Sequence, residues 1–128
     1  MKKINNILLF ALLACSCSLA NAAAVQVWTC KMNDGKTAED LDAASSAWLA
    51  ATKSMKGAEK IKAFHEFPVA TGAVGDGAFN FVVITPNFED WGKVTEAYPD
   101  SASQKADVAW GEVASCDGST LWASEEIE

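Results

Sequence analysis

Few side chains in this sequence can act as a base, a nucleophile or a ligand near neutral pH. There is one histidine, His65, and beyond residue 22 there are two cysteines, Cys30 and Cys116. Zinc needs several ligands at short spacings, which two distant cysteines and one histidine do not supply. No C-x-x-C is present, so a thioredoxin-like redox pair has no support. What remains for the thiols is pairing, and Cys30 and Cys116 are expected to form a disulfide in an oxidising compartment. Closing so long a loop would stabilise by roughly 4–5 kcal/mol in the chain-entropy treatment.

His65 and Asn80 are the catalytic candidates. His65 lies on an alternating segment beside Ile61 and Phe67, where it could serve as a base inside a cavity; the plainer reading is a half-buried histidine held by backbone or water. Asn80 interrupts an otherwise apolar run, so its amide needs a partner in a cavity or across a sheet. Trp28, Phe67 and Trp122 are the candidate ligand-binding residues. Trp48, Trp91 and Trp110 fall on helical stripes and read as core. The acidic pairs lack glycosidase or EF-hand context, and no G-x-S-x-G, H-E-x-x-H or phosphate loop occurs. No metal and no cofactor are expected.

The formal net charge is −7 and there is no arginine. Nucleic acid needs a basic footprint, and anionic membranes attract one, so neither is an expected partner. Fork-like recognition of phosphate or carboxylate is arginine chemistry and is absent too.

The first residues predict export. Lys2 and Lys3 precede an apolar stretch, Ile7 to Ala14, and "ANA" at 20–22 is an A-x-A cleavage site. The stretch is shorter than the about 20 residues of a membrane span. Residues 1–22 are therefore expected to be a signal peptide and 23–128 a single soluble domain, periplasmic or extracellular. "LLAC" at 12–15 resembles a lipobox, so lipidation at Cys15 and tethering to the envelope is the alternative.

The elements that must position these residues follow from periodicity. "VQVWTCKM" (25–32) reads as a strand and "NDGKT" (33–37) as a turn. Thr37 caps a helix over about 38–56, striped by Leu41, Ala44, Trp48, Ala51 and Met55 and stopped by Gly57. Residues 59–70 alternate as a strand ending near Pro68, and a glycine-rich connection leads to "AFNFVVIT" (78–85), a strand apolar on both faces. Asn87 caps a helix that Pro99 breaks. "SASQ" (101–104) is a capping box that restarts it. Ala102, Ala106, Trp110 and Val113 continue the stripe, with Cys116 in the last turn, Gly118 as the stop and a final strand after it. The rival reading makes Asp117-Gly118 a hairpin turn between strands.

The order is β-α-β-β-α-β with a split second helix, an α+β arrangement of ferredoxin-like type. In that topology the first and last strands are antiparallel neighbours, which would bring Cys30 and Cys116 together. The layout resembles the dimeric α+β barrel superfamily, which includes the antibiotic-biosynthesis monooxygenase-like domains. That resemblance implies a homodimer with two facing sheets, and a cavity lined by the sheet face that the helices leave bare. Some members are cofactor-free oxygenases or haem-degrading enzymes, and others only bind ligands. The sequence is thus read as an exported module binding a small apolar or aromatic ligand without catalysis. Two alternatives stand beside it: a cofactor-independent monooxygenase-like enzyme, and a lipid-tethered structural protein of the envelope.

Overall fold

The computed structural model describes residues 22–70 and 75–127. The leader through Asn21, with Cys15, lies outside them, as does part of the glycine-rich connection at 71–74. Among the described residues four strands and three helices follow in the order β1 (Ala23–Met32), α1 (Ala38–Lys53), β2 (Lys62–Glu66), β3 (Ala78–Thr85), α2 (Phe88–Ala97), α3 (Ala102–Gly111) and β4 (Ala114–Ser124). The strands form one sheet in the order β2-β3-β1-β4, with every neighbouring pair antiparallel. This is an α+β fold compatible with the ferredoxin-like class, its second helix split as the capping signals predict.

Each boundary has a local cause. The turn after β1 uses Gly35 at φ 77°, a left-handed conformation that costs glycine nothing. Thr37 Oγ1 then accepts from the Asp40 N–H at 3.2 Å, and the Asp40 carboxylate accepts from the Thr37 N–H at 2.9 Å. Asn87 Oδ1 caps α2 by accepting from the Asp90 N–H at 2.7 Å. Pro99 separates α2 from α3, and Ser101 Oγ caps α3 through the Gln104 N–H at 3.1 Å. The Gln104 amide oxygen reaches one residue beyond the usual box, to the Asp100 N–H at 2.7 Å.

The helices cover one face of the sheet. Cys30, Phe79, Phe81 and Val83 pack there against Leu41, Trp48 and Trp110. Two buried hydroxyls sit within this layer. Thr52 Oγ1 is 2.6 Å from Ser103 Oγ and donates to the Trp48 carbonyl at 2.8 Å, so neither hydroxyl is buried without a partner.

The sulfurs of Cys30 and Cys116 are bonded, with their Cα atoms 4.0 Å apart. The surroundings of Cys116 differ from the sequence expectation. Helix α3 ends at Gly111, and Cys116 lies in β4, not in a last helical turn. Gly118 is a strand residue and not a helix stop. The hairpin reading of Asp117-Gly118 is equally overturned, because β4 runs through both residues. The physical reason is the long ladder to β1, from Met32↔Ala114 to Ala23↔Ser124. Cys30 faces Cys116 but Thr29 faces Gly118, so Asp117 is an extra residue in a β-bulge.

Candidate functional site

Between the helices and the sheet lies a cavity of about 370 Å³. Its floor is sheet: Gln26 and Trp28 from β1, Phe81 and Val83 from β3. Trp48 and Thr52 of α1 form one wall, and Trp91 and Val94 of α2 another. Tyr98, Asp107 and Trp110 join the lining from the end of α2 and from α3. The alternation of each strand and the helical stripes point these side chains inward together. Phe81 is the hub: Trp48 meets it edge-on at 5.2 Å between ring centroids, with Trp110 at 5.3 Å and Trp28 at 5.9 Å.

Internal hydrogen bonds hold the walls. Trp91 Nε1 donates to Gln26 Oε1 at 3.2 Å, and Gln26 Nε2 donates to Ser119 Oγ at 3.2 Å. Trp110 Nε1 donates to Ser45 Oγ at 2.8 Å. The Tyr98 side chain lines the cavity beside Asp107. Burial first, and then the Asp107 charge, push its pKa up to about 12, so it stays neutral.

His65 belongs to a neighbouring arrangement. Its Nε2 is 2.8 Å from Ser45 Oγ, and its Nδ1 is 3.6 Å from an Asp42 oxygen. Trp110 donates to the serine oxygen, so the serine proton is assigned to His65 Nε2 and the ring proton to Nδ1, towards Asp42. Burial lowers the histidine pKa from its ordinary 6.5, and the exposed Asp42 offsets this only in part. The order aspartate, histidine, serine is that of a hydrolase triad. Yet Ser45 is only 7% exposed inside α1, and its oxygen already accepts from Trp110. What the arrangement does is hold the Trp110 indole in the pocket wall.

The candidates from the sequence are only partly brought together. Trp28 lines the cavity. His65 opens instead into a shallow cleft of about 240 Å³ beside Asp42, Leu49 and Phe64. Phe67, half exposed beyond the end of β2, packs on Phe79 and His65. Asn80 and Trp122 lie on the bare face of the sheet. There the Asn80 amide donates to Glu66 Oε2 at 3.4 Å, and Trp122 Nε1 donates to Thr120 Oγ1 at 2.8 Å. His65 and Asn80 are therefore on opposite faces and do not converge within one chain. The cavity lies beneath the helices, not on the bare face that the family resemblance implied. Sequence reasoning assigned Trp48, Trp91 and Trp110 to the core, placed Tyr98 on the stripe of the helix that Asn87 caps, and passed over Gln26 and Asp107. The available signal was that all three helical stripes carry a tryptophan, and all three must face the sheet that carries Trp28.

Among the described residues no group of His, Cys, Asp and Glu is placed to hold a metal ion, and no helix is long and apolar enough to cross a membrane. No known family profile matches the sequence, and no curated protein matches it. Solved structures do match. SnoaB, a cofactor-independent oxygenase from Streptomyces nogalater, superposes with a TM-score of 0.56 at 7% identity, covering 83% of this chain and 96% of that one. A protein of unknown function from Rhodopseudomonas palustris gives 0.49 at 12% identity, covering 94% and 92%. At such identities the likeness to SnoaB is one of fold: an α+β chain with a four-stranded antiparallel sheet under helices.

Proposed function

We propose that this chain is an exported binding module that takes a small, flat, apolar or aromatic molecule between its helices and its sheet. The observation that carries this is the cavity of about 370 Å³ walled by Trp28, Trp48, Phe81, Trp91, Tyr98 and Trp110. Its volume suits one small molecule, and its few polar groups suit orientation more than chemistry. Tryptophan fluorescence tests the reading, because four of the five tryptophans line the pocket. Titration with a panel of aromatic compounds is expected to shift the emission without forming product. Val94→Trp, which fills the cavity from α2, is expected to abolish that shift while leaving the fold intact. A panel without any response overturns the reading.

Oxygen transfer to the same kind of molecule, without a cofactor, is the second reading, and the fold likeness to SnoaB supports it. Oxygen consumption with a bound aromatic compound would establish it.

The bare face of the sheet supports a homodimer. Val25, Val27, Val82 and Ile84 lie there with Phe64 and Trp122, which are 47% and 59% exposed in the single chain. Face-to-face pairing of two sheets would remove that apolar surface from water. For export, mass spectrometry of the protein from its own source is expected to give a subunit beginning at Ala23. A lipid on Cys15 would instead place the domain on the envelope surface.

A further inference from the structure

We infer that the pocket between helices and sheet selects a positively charged organic ligand, a protonated or quaternary amine carried on a flat apolar body. The inference rests on the binding reading above and names the class of molecule.

The lining contains no lysine, arginine or histidine, so nothing in it can neutralise a carboxylate, sulfonate or phosphate. Its ionisable groups are Asp107, exposed at the mouth, and Tyr98, which stays neutral beside it. The pocket therefore carries one negative charge, on a chain whose net charge is −7. Two of the four indole N–H groups are already committed to partners within the protein. Those of Trp91 and Trp110 are given to Gln26 and Ser45. A ligand thus meets mainly aromatic carbon. Aromatic rings attract cations through their quadrupole, tryptophan most strongly, and the attraction grows where water is excluded. A quaternary ammonium is weakly hydrated and gives up little on entry. A neutral ligand gains only the burial that any apolar cavity offers.

The test compares three probes of one shape: benzyltrimethylammonium, its uncharged carbon isostere neopentylbenzene, and the anion phenylmethanesulfonate. Each is titrated against the full domain by tryptophan fluorescence and calorimetry. The cation is expected to bind about tenfold more tightly than the isostere, and the sulfonate not at all. Asp107→Asn is expected to weaken the cation alone, by about threefold at low salt. If the isostere binds as tightly as the cation, charge selection is overturned while the pocket remains a binding site. If none of the three binds, the inference and the binding reading fall together.

Discussion

The helix-covered face of the sheet and its bare face are both apolar, but this chain encloses only the first. On the covered side Phe79, Phe81 and Val83 are buried under Leu41, Trp48 and Trp110. On the other side Val82 is buried between its strand neighbours, whereas Phe64 and Trp122 stand out in solvent. The covered face therefore supplies the stability of the single chain and the walls of the pocket. The bare face is the surface proposed above for association. A substitution's effect should depend on which face it strikes, even at adjacent positions along one strand.

The strongest way to break this contrast is Phe81→Ala. It removes the ring that Trp28, Trp48, His65 and Trp110 all pack around, and it should cost about 3–5 kcal/mol in denaturant unfolding. Val82→Ala, one residue on but facing the other way, should cost clearly less in the monomer. Equal losses would mean that the bare face is as much a core as the covered one. Replacing Cys30 and Cys116 together by serine should lower stability by about 2–5 kcal/mol, since the link spans 86 positions. A smaller effect on the same unfolding curve would show that the β1–β4 ladder holds without it.

The bare face is tested by Trp122→Asp, which should weaken the dimer by about 2 kcal/mol or more in sedimentation equilibrium while leaving monomer unfolding little changed. If the unaltered protein sediments as a monomer at every concentration, the association surface is excluded. The smallest effect expected is on pH. Because His65 binds a proton less readily folded than unfolded, the unfolded state takes up more protons below about pH 6.5, and stability should fall as pH drops through that region. His65→Gln should flatten the decline above about pH 5, since the lowered carboxylates Asp40, Glu59 and Glu89 lose most of their contribution below that range.

Much of this contrast was legible in the sequence. The alternation in 59–70 put Ile61, Ala63, His65 and Phe67 on one side. The caps at Thr37, Asn87 and Ser101 marked the helix starts, and the element order alone brought Cys30 opposite Cys116. What could not be read was the side on which β4 presents its last residues. Side chains alternate with a period of two, so one extra residue flips every side chain beyond it. Asp117 is that residue. Had the ladder run through Asp117 without a bulge, Trp122 would face the pocket side with Trp28; because Asp117 bulges out, Trp122 stands opposite Val25 on the bare side. The buried hydroxyls of Ser45 and Thr52 were missed for a related reason. Hydropathy counts them as surface, but a hydroxyl that finds partners at 2.8 and 2.6 Å is cheap to bury.

The pairing of β1 with β4 also decides how the domain answers a mechanical load. Ala23 and Ser124 are partners at one end of that ladder, and the bonded cysteines lie towards the other. A pull on the two ends of the domain would unzip the ladder a rung at a time from Ala23 and Ser124, a low-force mode. The peeling would stop at the covalent link between Cys30 and Cys116. Phe81, Trp48, Trp110 and the α-layer lie outside the loaded stretch, whereas Gln26 and Trp28 lie on it, so a stretched molecule would keep its core and strain only the β1 wall of its pocket.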